Sequence, residues 1–213
     1  SDAGRTVSEI LLLAVSKTRT SAQIDEAVAA GINSFGENYL QEAIEKINAF
    51  PDAKLDWHFI GPLQSNKTRL VAENFAWIHS VDRLKIAQRL SDQRPPSLAP
   101  LNICLQINID NESTKSGFTS TQALEAALEI ARLPGIRLRG LMAIPQSRHS
   151  LEDQRAPFRR LRELKDQINE LLDNLQKLDT LSMGMSGDME AAILEGATIV
   201  RVGTDIFGAR AAL

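Results

Sequence analysis

The chain is short of the residues that mark specialised protein classes. Cys104 is the one cysteine in 213 residues. It has no internal disulfide partner, so a reducing, cytoplasmic setting fits. Inside Asn102-Ile103-Cys104-Leu105 it reads as a small buried apolar residue. The three histidines, His58, His79 and His149, stand apart, with no cysteine or paired carboxylate at ligand spacing, and no metal site is expected. Aromatic residues make up 5%, and Tyr39 is the single tyrosine. No apolar run approaches the roughly 20 residues of a membrane span. Residues 1–5 are polar and lead straight into an apolar run, so no secretory leader is expected. Neither sign of charge dominates: 24 basic against 27 acidic side chains leave a net charge of −3. That argues against bulk nucleic-acid binding, which needs a basic face.

What the chain does have is alternation. Apolar runs of strand length recur at 10–17, 32–36, 56–61, 77–81, 101–109, 136–144, 180–184 and 198–202. Segments of helical character lie between them at 21–30, 39–49, 64–75, 83–92, 121–133, from Pro157 onward, and 188–196. Pro157 suits a first helical turn. The stretch 93–100 holds three prolines and reads as a loop, because alternation resumes directly after it. Strand and helix in turn predict a parallel sheet covered by helices. Eight repeats predict an α/β fold closed as a (β/α)₈ barrel, with 1–213 as one domain. The rival doubly wound sheet lacks its glycine fingerprint after the first strand. Only seven helices accompany the eight strands. The expectation is therefore no helix after the last strand, with the missing cover supplied from upstream of Ser1.

In such a barrel the site lies at the C-terminal strand ends. Those ends carry Lys17, Gly36-Glu37-Asn38, His58, Asn108, Met142, Ser182 with Ser186, and Arg201-Val202-Gly203-Thr204. Lys17 closes the first run and is either a solvated strand end or an amine that attacks carbonyls. Gly184, Ser186, Gly187, Gly203 and Thr204 offer unobstructed N–H groups at the last two strand exits, the usual phosphate position of this barrel. A carbonyl-seeking lysine opposite a phosphate cradle suits pyridoxal phosphate.

Seven segments sharpen this into a resemblance: Ala14-Val15-Ser16-Lys17-Thr18, Phe35-Gly36-Glu37-Asn38-Tyr39, His58-Phe59-Ile60-Gly61-Pro62-Leu63-Gln64-Ser65-Asn66-Lys67, Lys115-Ser116-Gly117-Phe118, Gly140-Leu141-Met142-Ala143-Ile144, Leu181-Ser182-Met183-Gly184-Met185-Ser186 and Arg201-Val202-Gly203-Thr204-Asp205-Ile206-Phe207-Gly208. Together, in this order from Gly4 to Arg210, they resemble the pyridoxal phosphate homeostasis family, single-domain relatives of the alanine racemase N-terminal barrel. The resemblance implies pyridoxal 5'-phosphate as cofactor and Lys17 as its Schiff-base lysine. It implies Arg201 facing the pyridine nitrogen, phosphate contacts from Ser186, Gly203 and Thr204 with Ser182 joining them, and Asn38, His58 and Met142 lining the site. Arg19 stands where lysine is expected in many members, which keeps the charge and loses an amine. Lys115, in a polar loop, reads as a solvated side chain or a second amine near the cofactor, and Lys67 as a helix-surface charge.

A permanent cation beside the pyridine nitrogen weakens the ring as an electron sink. Racemisation also needs a second acid/base on the far face. In alanine racemases that group is a tyrosine from a second domain, and no such domain is expected in this chain. The expected role is thus a monomeric carrier that buffers pyridoxal phosphate or delivers it to apoenzymes. A low-activity amino-acid racemase is the alternative, and a cofactor-free binding module a third.

Overall fold

A computed structural model describes residues 4–51 and 54–209. Residues 1–3 and Arg210, on which the leader and resemblance readings touch, lie outside the described residues. Eight parallel strands run β1 Leu11–Val15, β2 Ser34–Glu37, β3 Asp56–Phe59, β4 Trp77–Val81, β5 Leu101–Gln106, β6 Ile136–Met142, β7 Thr180–Ser182 and β8 Ile199–Val202. They pair in sequence order, and β8 returns to β1 through Leu11↔Ile199 to Ala14↔Val202, which closes the barrel. The helices are α1 Ser21–Ala29, α2 Leu40–Ala49, α3 Thr68–Asn74, α4 Leu84–Gln93, α5 Ser120–Ile130, α6 Leu151–Leu171, α7 Met189–Leu194 and α8 Thr204–Phe207.

Local signals set the helix starts. Thr20 and Gln23 cap α1 reciprocally, each side chain meeting the other's backbone N–H, and Thr119 with Gln122 repeats the device on α5. Gly31 and Gly196 end α1 and α7 at φ +94° and +93°, which glycine adopts at little cost. Buried Ile24 and Ala27 on α1, Ala43 on α2, and Phe158, Leu161, Leu164 and Ile168 on α6 bring the helical cover onto the barrel's outer face.

Several expected boundaries need correction. The sixth helix starts at Leu151, six positions before Pro157. Ser150 caps it by accepting the Asp153 N–H, and Glu152 and Asp153 suit the first-turn dipole. Pro157 then sits inside the helix, where it removes only the N–H that would have met the Asp153 carbonyl. The third helix is split, a 3₁₀ turn at Ser65–Lys67 leading into α3. A short α8 does follow the last strand; its four residues are too few to show an apolar period. β1 ends at Val15, so Lys17 belongs to the turn after the strand. β5 ends at Gln106 and β7 at Ser182, earlier than their apolar runs suggest.

The barrel interior is partly polar. His79 on β4 reaches Ser182 on β7 at 2.7 Å. These strands are not neighbours, so this bond spans the interior.

Candidate functional site

A cavity of about 290 Å³ opens at the C-terminal strand ends. Seven of the expected site residues line it: Lys17, Asn38, Met142, Ser186, Arg201, Gly203 and Thr204. Val15, Arg19, Ile60, Ile144, Met185 and Gly187 complete it. His58 and Ser182 do not line this cavity. They lie beneath it, 1% and 0% exposed, because side chains two positions apart on an inward-facing strand stack in successive layers. Asn108 is also outside it. Its amide donates to the Glu112 carbonyl at 2.7 Å and accepts the Glu112 N–H at 3.0 Å, which folds the loop after β5 back on itself.

Arg201 is the electrostatic centre of the cavity. It is 4% exposed. Its guanidinium donates to the Ser182 carbonyl and Ser182 Oγ, both at 2.7 Å, and to the Ala143 carbonyl at 3.0 Å. All three acceptors are neutral. Burial lowers its pKa to about 10, which still leaves it charged at neutral pH. A buried cation whose hydrogen-bond partners are all neutral, facing a cavity, provides for an electron-rich ligand.

Behind Arg201 runs a hydrogen-bonded chain. Ser182 Oγ, accepting from Arg201, is hydrogen-bonded to His79 Nδ1 at 2.7 Å, and His79 Nε2 is hydrogen-bonded to His58 Nδ1 at 2.9 Å. His58 stacks on Trp77 with ring centroids 5.3 Å apart. Burial holds His58 down at about 3. It also holds His79 well below its ordinary value, with the nearby His58 and Arg201 charges acting the same way. Both rings are neutral at pH 7. The sequence signal for this chain was weak, since a histidine in an apolar strand is usually only a satisfied core residue.

Asn38 Oδ1 is buried without a hydrogen-bond partner, in a residue that lines the cavity. An orphaned acceptor there is a position for a ligand donor. Gly61 makes the close approach possible: a Cβ at Gly61 would lie 2.2 Å from the Asn38 carbonyl oxygen. Arg19 lines the cavity and donates to the Gly208 carbonyl at 2.6 Å, with its guanidinium 5.7 Å from the Phe207 ring. It thereby ties the turn after β1 to the segment after β8.

A second lobe of about 350 Å³ shares Asn38, Ile60, Met142 and Ile144 with the first. Its charged groups are paired: Asp110 with Arg148 and Arg160, Glu112 with Lys115, Asp82 with Arg83. Lys115 lines this lobe, not the main cavity. Lys67 and His149 are exposed, and Tyr39, 55% exposed, lines neither lobe. Cys104 is buried in β5, where burial pushes its thiol up to about 12 and leaves it inert. Among the described residues no cluster of three metal-ligating side chains occurs. None of their helices is long and apolar enough to cross a membrane.

Residues 5–211 match the family model for the alanine racemase N-terminal domain. The chain is 58% identical over 208 residues to the pyridoxal phosphate homeostasis protein of Pseudomonas aeruginosa, an overlap of 98% of this chain and 88% of that protein. It is 53% identical over 210 residues to the protein of the same name from Escherichia coli K12, covering 97% and 88%. Among solved structures it resembles PipY of Synechococcus elongatus with pyridoxal phosphate bound, at 36% identity and TM-score 0.87 over 97% of this chain and 96% of that one. Alanine racemase of Clostridium difficile matches at TM-score 0.79 and 14% identity over 97% of this chain and 57% of that one, a likeness of fold alone.

Proposed function

For this chain, which belongs to the alanine racemase N-terminal domain family, we propose that it binds pyridoxal 5'-phosphate at the main cavity and serves in its homeostasis, holding it and releasing it to apoenzymes. The observation that carries this reading is Arg201, a buried cation with neutral partners, lining the same cavity as Lys17. The residues fit the group. Arg201 meets the pyridine nitrogen, an acceptor that asks for a fixed donor. Asn38 offers its orphaned acceptor. Ser186, Gly203, Thr204 and the cationic Arg19 form the side that takes the phosphate. When bound, pyridoxal phosphate supplies an aldehyde and an electron-withdrawing ring. Lys17 would hold the group at its aldehyde end, and Arg201 would disfavour protonation of the ring nitrogen by its charge.

The same lining supports a carrier over a racemase. Among the described residues of the main cavity, Lys17 is the only side chain suited to shuttling protons. Arginine does not give up its proton in this role, and serine, threonine and asparagine are poor bases. The carboxylates of the adjoining lobe are held in ion pairs. This reading places the protein in the cytoplasm as a monomer, with pyridoxal-phosphate-dependent apoenzymes as recipients.

The test is spectroscopic. Purified protein mixed with pyridoxal phosphate is expected to turn yellow and, after borohydride, to carry the cofactor's mass on the Lys17 peptide. Lys17→Ala is expected to lose that chromophore and to bind at least tenfold more weakly, through phosphate and ring contacts alone. An unchanged chromophore in Lys17→Ala would overturn the assignment of the amine. Efficient racemisation of L-alanine by the loaded protein would overturn the carrier role.

A further inference from the structure

Lys17 is aimed from outside the barrel. Within β1 side chains alternate, so Leu13 and Val15 share one direction while Ala14 points the opposite way; Ser16, fully buried, and Lys17 follow after the strand. Val15 and Lys17 line the cavity. On the other side of the same backbone sits a compact ion cluster. Lys46 of α2 is 5% exposed and donates to Glu37 Oε1 at 2.7 Å, Glu42 Oε1 at 2.5 Å and the Ser16 carbonyl at 2.6 Å. Ser16 Oγ donates to the same Glu37 oxygen at 2.6 Å. The Thr18 N–H donates to the same Glu42 oxygen at 2.6 Å. Both neighbours of Lys17 are therefore fixed to a single ammonium–dicarboxylate group. Thr18 is held at φ +64°, a left-handed conformation that a β-branched residue rarely adopts. The second oxygen of Glu37 is buried with no partner at all.

A cluster serving stability alone would not need to bracket one residue of a turn. We propose that Glu37, Lys46 and Glu42 are positioning residues for Lys17. They clamp Ser16 and Thr18 so that the intervening amine keeps one direction into the cavity. Glu42 carries the Thr18 half of the clamp and is the better lever, because its side chain is 30% exposed and tolerates change more readily than Glu37. The clamp rests on the assignment of Lys17 as the functional amine, so its test includes a measurement made without any cofactor.

The experiment compares wild type, Glu42→Ala and Glu42→Gln in two ways. The first is the rate of acylation of Lys17 by a water-soluble amine reagent in cofactor-free protein, read by peptide mass spectrometry against exposed Lys67 and Lys85 in the same sample. The second is the affinity for pyridoxal phosphate, read from the bound chromophore. Glu42→Ala is expected to change the Lys17 acylation rate about fivefold, leave the reference lysines unchanged, and weaken the cofactor by a similar factor, as loss of orientation does. Glu42→Gln keeps an acceptor for the Thr18 N–H and is expected to stay within about twofold of wild type on both. Should Glu42→Ala not fold, Ser16→Ala removes one hydroxyl from the same cluster and is read identically. An unchanged Lys17 rate in the alanine variant, or equal effects of alanine and glutamine, would overturn the clamp. Wild-type protein that forms no chromophore would overturn the cofactor reading, while the acylation rates would still decide the clamp.

Discussion

Among the described residues two side-chain cations, Lys46 and Arg201, are buried, and the chain treats them in opposite ways. Lys46 lies between the barrel and α2, 5% exposed, with two carboxylates in contact. Arg201 lies inside the barrel, 4% exposed, with three neutral oxygens in contact. Desolvating either ion costs several kcal/mol. Around Lys46 that cost is offset locally by opposite charge, and the field of the cluster is spent on its own members. Around Arg201 the groups in contact are dipoles and the one acid that acts on it, Asp188, makes no contact, so much of its field is left for the cavity. A compensated buried charge shapes the backbone around it; an uncompensated one is kept for something that arrives.

The contrast breaks most visibly in stability. Lys46→Met leaves Glu37 and Glu42 without their counter-ion, Glu37 fully buried, and is expected to cost about 3–5 kcal/mol in urea unfolding. Arg201→Met removes a charge that has no carboxylate in hydrogen-bond contact and replaces it with an apolar side chain of similar reach. Its expected cost is less than half as large, about 1–2 kcal/mol, mainly from the carbonyls left without a donor. The order reverses for the cofactor, which Arg201→Met is expected to lose. Equal unfolding midpoints for the two variants would erase the distinction.

Acid sharpens the same comparison, because the two sites respond with opposite sign. His58 and His79, in the chain behind Arg201, are neutral in the fold, with His58 held down at about 3. In the unfolded chain both take up a proton near pH 6.5. Below that value the unfolded state binds more protons, so stability falls as pH falls, by roughly 2 kcal/mol between pH 7 and pH 5 for His58 and in the same direction for His79. Glu37, in the Lys46 cluster, has its pKa raised above 4.5, by burial first and against the pull of Lys46 and Ser16. Its folded form takes the proton earlier, so its contribution rises as pH falls towards the ordinary value of 4.5. Urea titrations at pH 7, 6 and 5 are expected to show a progressive loss, smaller in His79→Asn. A flat profile would mean that the rings are charged or solvent-accessible.

The parts that were legible in the sequence are those written as periodicity or as a residue type with few alternatives. Eight apolar runs separated by helical segments give the closed barrel, and glycines with small hydroxyl residues after β7 and β8 give one side of the cavity. What stayed hidden depends on which way a side chain faces across the barrel. His58 and Asn38 come from neighbouring family motifs, yet one lies in the layer below the cavity and the other at its wall. His79 meets Ser182 over 103 positions of chain, a juxtaposition that no local pattern encodes. The Lys46 cluster was half visible: Glu42 and Lys46 form an i,i+4 pair, but such pairs usually decorate a surface. Its burial follows from the packing of α2 against the turn after β1. Helix starts were misplaced where a proline outweighed a better cap, as at Pro157 against Ser150.

The smallest expected effect tests where the Lys46 cluster spends its energy. Thr18 stands at φ +64°, with its N–H held by Glu42. A left-handed conformation costs a non-glycine residue roughly 1–2 kcal/mol. Thr18→Gly removes that strain and gains disorder in the unfolded chain worth about 0.5–1 kcal/mol, so the net change expected in unfolding free energy is between zero and about +1.5 kcal/mol. If the cluster served stability alone, this variant would be neutral or better in every assay. If the cluster directs Lys17, the loosened turn gives up orientation even as the fold gains, and cofactor affinity falls while the melting temperature holds or rises. Measuring both on one preparation separates the two: affinity and stability moving together would assign the strained threonine to the fold, and moving apart would assign it to the site.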